Sequence, residues 1–242
     1  MNEKLKNFYN QQSTPWMKLF YRLIYTQLPE MSGKRILDFG AGFGWTANHL
    51  AGLGNEVLAI EPNAEMVEMR ASENSYEMWI GDLETLKSLP AASFDAIICH
   101  NVFEYVAPNE RAAILQEFKR LMKLDGLISI VKHNFAGSIL QRVVFENALD
   151  EAYALLTGEA LHDGSFGEIH TYDLPESVAR LGLEALNTYG IRTFFGIQPN
   201  AFKTAPDWED NMYKIEMEVA ENPDYNSISF FHHVILKNKK KV

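Results

Sequence analysis

Short apolar runs alternate with amphipathic stretches along the first half of the chain, the pattern of repeated strand and helix units around a parallel sheet. Arg35 to Phe39 reads as a strand, followed by a glycine turn and a helix from Trp45 to Leu53. Glu56 to Ile60 predicts a second strand stopped by Glu61-Pro62, and Asn63 is placed to cap a helix from Ala64 to Ser72. Glu77 to Ile80, closed by Gly81-Asp82, and Phe94 to Cys99 predict the third and fourth strands. Pro108 and Asn109 open a helix from Glu110 to Lys123, with Ile114, Leu115, Phe118, Leu121 and Met122 at helical spacing. Asp125-Gly126 reads as the turn into a fifth strand, Leu127 to Lys132. In sheets of this kind ligands bind at the carboxyl ends of the strands, near the point where strand order reverses.

The rhythm then breaks. Residues 134–170 carry no strand pattern, and Ile139 to Leu156 reads as an amphipathic helix. A connection this long predicts an insertion above the carboxyl edge of the sheet, a lid or a substrate wall. A crossover helix resumes from Asp173 to Leu181, with Asp173 as cap and Pro175 in its first turn. Leu183 to Phe195 and Ser227 to Lys237 predict strands six and seven, and the acidic helix between them, Pro206 to Glu221, reads as a solvated face. Pro15 to Leu28 adds an amphipathic helix ahead of the first strand. With no repeat or linker, residues 1–242 read as one α/β domain around a doubly wound, mostly parallel sheet.

Charge and cysteine usage narrow the function classes. Acidic residues outnumber basic ones by 32 to 22, a net charge of −10, which opposes broad adhesion to nucleic acid. The basic cluster Lys237, Lys239, Lys240 and Lys241 reads as a solvated terminus. A lone cysteine, Cys99, excludes an internal disulfide and a cysteine zinc site, and its place within a strand makes it a core residue. His232 and His233, adjacent in a strand, face opposite ways, so no metal site is expected from them. The polar first residues lack a signal-peptide core, and no apolar run approaches the ~20 residues that span a bilayer, so a cytoplasmic location without membrane contact is expected.

The chemistry concentrates in Asp38-Phe39-Gly40-Ala41-Gly42-Phe43-Gly44. Glycines allow a tight turn and close backbone approach to a ligand, and the following helix directs its N–H groups and positive dipole end toward it. A phosphate-binding P-loop needs Gly-Lys-Ser/Thr, whereas Gly44 is followed by Trp45-Thr46. The dinucleotide fingerprint wants a glycine where Trp45 stands. An acidic residue just before G-x-G-x-G, here Asp38, instead suits S-adenosylmethionine (SAM). Glu61, with Pro62 at the end of strand two, can accept ribose hydroxyls. Asp82 can accept an adenine amine while the Leu83 N–H donates to the ring. Asn101, Glu104, Tyr105, His133, His170 and Tyr172 are the polar groups placed to meet a methyl acceptor. Trp16, Phe20 and Tyr21 suit either a cofactor cover or the seam under the first helix.

In order, the segments DFGAGFG, AIEPN, GDLETL, FDAIICHNVFEYV and LKLDGLISIV resemble those of the class I SAM-dependent methyltransferases. The resemblance implies seven strands with the last antiparallel, and it places Gly40, Gly42, Glu61, Asp82 and His100 around the cofactor; for His100 a structural hydrogen bond is the alternative. A narrower resemblance, through Thr14-Pro15-Trp16, CHNVFEYV and Tyr189-Gly190-Ile191-Arg192, is to the branch that contains the tRNA 5-carboxymethoxyuridine methyltransferases. That branch carries arginine where this chain has Phe20, and Arg followed by an aromatic where it has Phe230-Phe231; Arg22 or Lys18 is placed to compensate for the first, and Arg192 is retained. A guanidinium suits a carboxylate substrate, so these departures disfavour the tRNA acceptor and leave a small metabolite or modified nucleoside. A SAM-binding module without catalysis is the alternative.

Overall fold

The computed structural model describes residues 3–159, 161–163, 167–169, 172 and 174–239. Helices α1 (Glu3–Gln11) and α2 (Pro15–Gln27) come first. There follow β1 (Arg35–Phe39), α3 (Trp45–Gly52), β2 (Glu56–Glu61), α4 (Ala64–Glu68), β3 (Glu77–Ile80), α5 (Leu83–Ser88), β4 (Phe94–His100), α6 (Pro108–Leu121) and β5 (Met122–His133). Beyond them lie α7 (Phe135–Gln141), α8 (Leu149–Leu156), the short strands β6 (Leu161–Asp163) and β7 (Gly167–Ile169), α9 (Pro175–Arg180), β8 (Leu183–Ile191), α10 (Trp208–Val219), α11 (Pro223–Asn226) and β9 (Phe231–Asn238).

Seven strands form one sheet in the order β3-β2-β1-β4-β5-β9-β8, with the last strand antiparallel, and β6 pairs with β7 apart from it. The order reverses at the β1–β4 pair, where Asp38 lies opposite Ile98. On the other side of β1, Phe39 pairs with Ile60, so the ends of β1 and β2 are level.

The fold divides into two compact units. One draws on residues 29–130, 172–186 and those from 234 on. Its core joins the strands to α6, with Phe118 wholly buried against the rings of Phe39 and Phe103. The helix forms because Pro108 sits in its first turn and Ile114, Leu115, Phe118 and Leu121 recur on one buried face. The other unit draws on residues up to 28, 131–171 and 187–233. Its core sets Leu19, Phe20, Leu23 and Ile24 of α2 against Phe195, Trp208, Met212 and Phe231.

Several elements depart from the expected ones. The helix after Asn63 stops at Glu68 rather than Ser72, because the Ala71 N–H leaves it to donate to the Phe43 carbonyl. Asp125-Gly126 is no turn but lies within β5. The single helix expected over 139–156 is split: a π-helical turn, Arg142–Glu146, ends at Asn147, whose φ of 52° breaks the path before α8. The segment expected to lack strands contains β6 and β7. Strand β8 ends at Ile191, four residues short of the expected Phe195, as Arg192 turns left-handed, and β9 begins at Phe231 rather than Ser227. Leu174 is the N-cap of α9; Asp173, His170, Lys240 and Lys241 lie outside the described residues. Helix α10 is not merely a solvated face, since its Glu216 is fully buried.

Glu216 closes the end of β8. Its carboxylate accepts from the backbone N–H groups of Thr193, Phe194 and Phe195 at 3.0, 2.8 and 3.2 Å. Burial raises its pKa while these three donors hold it down. In the same unit His233 is 0% exposed and bonds through Nδ1 to Gln27 Oε1 at 2.9 Å. Burial pushes the His233 pKa down to about 3. The unfolded chain therefore binds a proton below about pH 6.5 that the native state excludes, and stability falls as the pH drops from there toward 3. Urea unfolding at pH 7, 6 and 5 should show a progressive loss, up to about 1.4 kcal/mol per pH unit for this one group. His233→Gln should remove this group's share of that dependence, while His133, also held down to about 3 by burial, keeps its own, and an unchanged slope would show that His233 does not contribute.

Candidate cofactor site

The glycine turn is bolted to β2. The Gly40 and Ala41 N–H groups donate to the Ile60 carbonyl at 2.8 and 3.2 Å, and the Gly44 N–H donates to Ala41 O at 2.8 Å. The Gly42 N–H donates to Glu61 Oε2 at 2.8 Å, and the other Glu61 oxygen accepts from the Asn63 N–H at 2.9 Å. The amides of the turn itself are thus largely committed within the protein. What the turn offers is space and carboxylates, a poor cradle for phosphate and a good one for a nucleoside or a cation.

That space has defined edges. Gly40, Gly42 and Gly44 all have left-handed backbones, with φ of 71°, 56° and 71°. A Cβ at Gly40 would fall 2.4 Å from Val102 Cγ2, and one at Gly44 2.2 Å from the Tyr76 hydroxyl. At Gly42 the nearest atom would be Met66 Cε at 3.8 Å, so this position is open.

Two carboxylates stand in the turn. Asp38 is buried, takes a hydrogen bond from the Ala47 N–H, and keeps its Oδ2 without a partner. Burial, reinforced by the negative charge of Glu61, pushes its pKa up to about 7. Glu61 is also buried and its pKa is raised by desolvation against the pull of its two backbone donors. Pro62 beside it is exposed.

Asp82, after β3, is exposed and caps α5, accepting from the Glu84 N–H at 2.9 Å in a capping box with Thr85. Leu83 is the first residue of that helix. His100, at the end of β4, bonds through Nε2 to Ser129 Oγ at 2.8 Å, the structural alternative the sequence left open. Asn101 follows it with φ 55° and a buried Oδ1 that has no partner. Left-handed backbone outside glycine is costly and gathers at functional sites. Tyr105 is half-buried in the 3-10 turn that comes next.

The structure brings Asp38, Gly40, Ala41, Gly42, Gly44, Glu61, Asp82 and Asn101 to the carboxyl ends of β1, β2, β3 and β4. Tyr172 does something else: its ring meets Phe103 edge-on at 5.9 Å and lies under the Arg111 guanidinium at 4.7 Å, beside a cavity of about 140 Å³. His133 and Arg192 belong to the other unit, around Phe230. Phe20 is buried against Phe231, a core role, and Arg22 is bonded to Asp210 at 2.7 Å. Sequence reasoning missed Val102 and Tyr76, whose contacts fix why residues 40 and 44 are glycine; hydrophobic pattern alone could not have found them.

Residues 37–130, from β1 through most of β5, match the family model described as a methyltransferase domain. Over these residues the chain is similar to a methyltransferase domain. Two curated relatives are similar to part of the chain. One is a ubiquinone biosynthesis O-methyltransferase from Xanthomonas oryzae, 31% identical over 102 residues, 40% of this chain and 42% of that protein. The other is the tRNA 5-carboxymethoxyuridine methyltransferase of Escherichia coli, 26% identical over 121 residues, 47% of this chain and 45% of that protein. The chain thus spans about half the length of the curated relatives it matches. A SAM-dependent methyltransferase from Archaeoglobus fulgidus is alike in fold, with a TM-score of 0.62 at 16% identity over 96% of this chain and 99% of that one.

The tight packing of the glycine turn bears on stability. Gly33, with φ 65° and no atom within 4 Å of a Cβ, supplies the control. Gly33→Ala should lose about 1–2 kcal/mol from the left-handed backbone alone. Gly40→Ala should lose roughly 1–3 kcal/mol more, because Val102 must also move. Equal losses in urea unfolding would mean that Val102 yields freely.

Proposed function

We propose that the protein transfers the methyl group of SAM to a small-molecule or nucleoside acceptor. The observation that carries this reading is the turn itself, three left-handed glycines closed by Glu61, inside a methyltransferase domain. The unpartnered Asp38 Oδ2 and the open face at Gly42 fit a cofactor with a cationic centre and a ribose. Glu61 would hold the ribose hydroxyls with the lone pairs its backbone donors leave free, and Asp82 and Leu83 the adenine. Asp38, Gly40, Ala41, Gly42 and Gly44 would line the remainder, with Asn101 toward the acceptor.

SAM, when bound, supplies a methyl group already activated by its sulfonium. The protein's contribution is orientation and exclusion of water. Glu61 orients by fixing the turn, and Asp38 balances positive charge in a buried place. A net charge of −10 and the absence of donors on Phe230 and Phe231 support a small acceptor over a tRNA. Among the described residues no helix is long and apolar enough to cross a membrane.

Titration calorimetry should show that S-adenosylhomocysteine binds and NAD does not. Glu61→Ala should weaken that binding by about 1.5–3 kcal/mol, roughly tenfold or more, in a variant that keeps its circular dichroism. Tight NAD binding, or unaltered affinity in the folded variant, would overturn the assignment.

Asp38 makes a second, independent expectation. A cationic ligand beside it favours the carboxylate and lowers a pKa that starts at about 7, so a fraction of a proton is released on binding near neutral pH. Binding enthalpies measured at pH 7 in phosphate and in Tris should differ accordingly, and the difference should vanish in Asp38→Asn. Identical enthalpies for the unaltered protein would remove Asp38 from the site.

A further inference from the structure

A cavity of about 140 Å³ lies against the first two turns of α6, and the proposed cofactor site makes no use of it. Its walls come from one compact unit, the one that holds α6 and α9. Phe103, Leu115 and Leu174, all buried, give it apolar sides. The volume is close to the roughly 150 Å³ that takes up benzene inside a protein core. A space of that size lined by carbon alone would suit an apolar guest. This one has a guanidinium in its wall.

That guanidinium belongs to Arg111, which is 9% exposed. Its Nε donates to the Phe103 carbonyl at 2.9 Å and to the Val106 carbonyl at 3.0 Å, across the 3-10 turn Phe103–Tyr105. Arg111 thereby braces the segment by which the chain leaves β4 through the left-handed Asn101. The rest of the fork is idle, for Nη2 is buried and has no acceptor. Among the described residues no carboxylate lies within ion-pairing distance of Arg111, and Glu104, whose negative charge reaches it, stands beyond that distance. The Tyr172 ring lies 4.7 Å from the guanidinium and covers one face of it, which leaves the edge for a further acceptor. A buried charged donor without an acceptor is costly, and the partner that matches an arginine fork best is a planar anion with two oxygens.

We infer that this cavity binds a small monocarboxylate, its oxygens on the Arg111 Nη groups and its apolar body between Phe103, Leu115 and Leu174. The volume sets the size of that body at about one aromatic ring. The apolar walls disfavour a bare phosphate, and the charged fork disfavours an uncharged guest. None of the described lining residues belongs to the glycine turn, so the site does not depend on the methyltransferase reading.

The probes are benzoate, benzyl alcohol, which has the body without the charge, and inorganic phosphate, which has the charge without the body. Each is titrated at pH 7 and constant ionic strength by calorimetry. The Arg111 Nε–H resonance of nitrogen-labelled protein is followed alongside, a readout that needs no variant to fold. Benzoate should bind saturably, move that resonance, and bind at least tenfold more tightly than either of the others. Ser177→Phe, which fills the cavity from α9 and leaves Arg111 in place, should weaken benzoate at least tenfold with unaltered circular dichroism. Arg111→Lys keeps the charge without the fork, and should cut the preference for benzoate over benzyl alcohol at least fivefold. Saturating S-adenosylhomocysteine should leave the benzoate affinity within about twofold. An Arg111 resonance that stays still overturns the inference, as does benzyl alcohol or phosphate binding as well as benzoate. Undiminished benzoate binding by a folded Ser177→Phe variant does so too, and competitive displacement by S-adenosylhomocysteine would place the benzoate in the proposed cofactor site instead.

Discussion

Everything in the proposed cofactor site depends on where the Glu61 carboxylate spends its lone pairs. It reaches from the end of β2 to the Gly42 N–H and turns back to the Asn63 N–H. With the Ile60 carbonyl taking the Gly40 and Ala41 N–H groups, the glycine segment is held against β2 by backbone and side chain together. The effect is to convert a loop into a fixed rim. A charged acceptor makes hydrogen bonds roughly twice as strong as a neutral one, so a glutamine here would be a weaker clamp. The same carboxylate bears on the electrostatics: burial raises the proton affinity of Asp38, and the charge of Glu61 beside it raises it further.

A comparable device works in the other unit. Glu216 from α10 gathers three consecutive N–H groups after β8, where the strand stops and the chain must turn. Backbone donors buried at a strand end need acceptors, and a carboxylate can serve several at once. In both places an acid is used as a backbone organiser, and in both the cost is desolvation, visible as a raised pKa. The difference is in what stands beside it. Asp38 next to Glu61 adds negative charge, whereas Arg192 near Glu216 adds positive charge that helps to keep the Glu216 carboxylate ionised.

How much of this could be read from residue order depends on the range of the interactions. Strands β1, β2 and β4 were legible because strands buried on both faces are continuous apolar runs ended by turn residues. The turn at Asp38 to Gly44 was legible too, since left-handed backbone demands glycine and the helix follows at once. Asn63 was seen as a cap and is one. The failures involve partners far away in sequence. Helix α4 ends early for the sake of a bond from Ala71 to Phe43, and Asp125-Gly126, with the composition of a turn, is carried through by the ladder of β5. Glu216 looked like one more acid on a polar helix, because its three donors sit more than 20 residues away. Lys203 gave no signal at all: nothing about a lysine in Asn200 to Thr204 announces that aromatic rings will close over it.

The contact between Gly40 and Val102 has a consequence for how such a chain can change. The two positions are far apart along the backbone, yet the missing Cβ of one is the space occupied by a methyl of the other. Neither can drift alone. A larger residue at 40 becomes admissible only once 102 has shrunk, and the intermediate with a small residue at 102 leaves a void beside the turn. The order of events is therefore constrained: shrinkage first, growth second. Descendants of this chain should keep the pair as it stands or alter both members together.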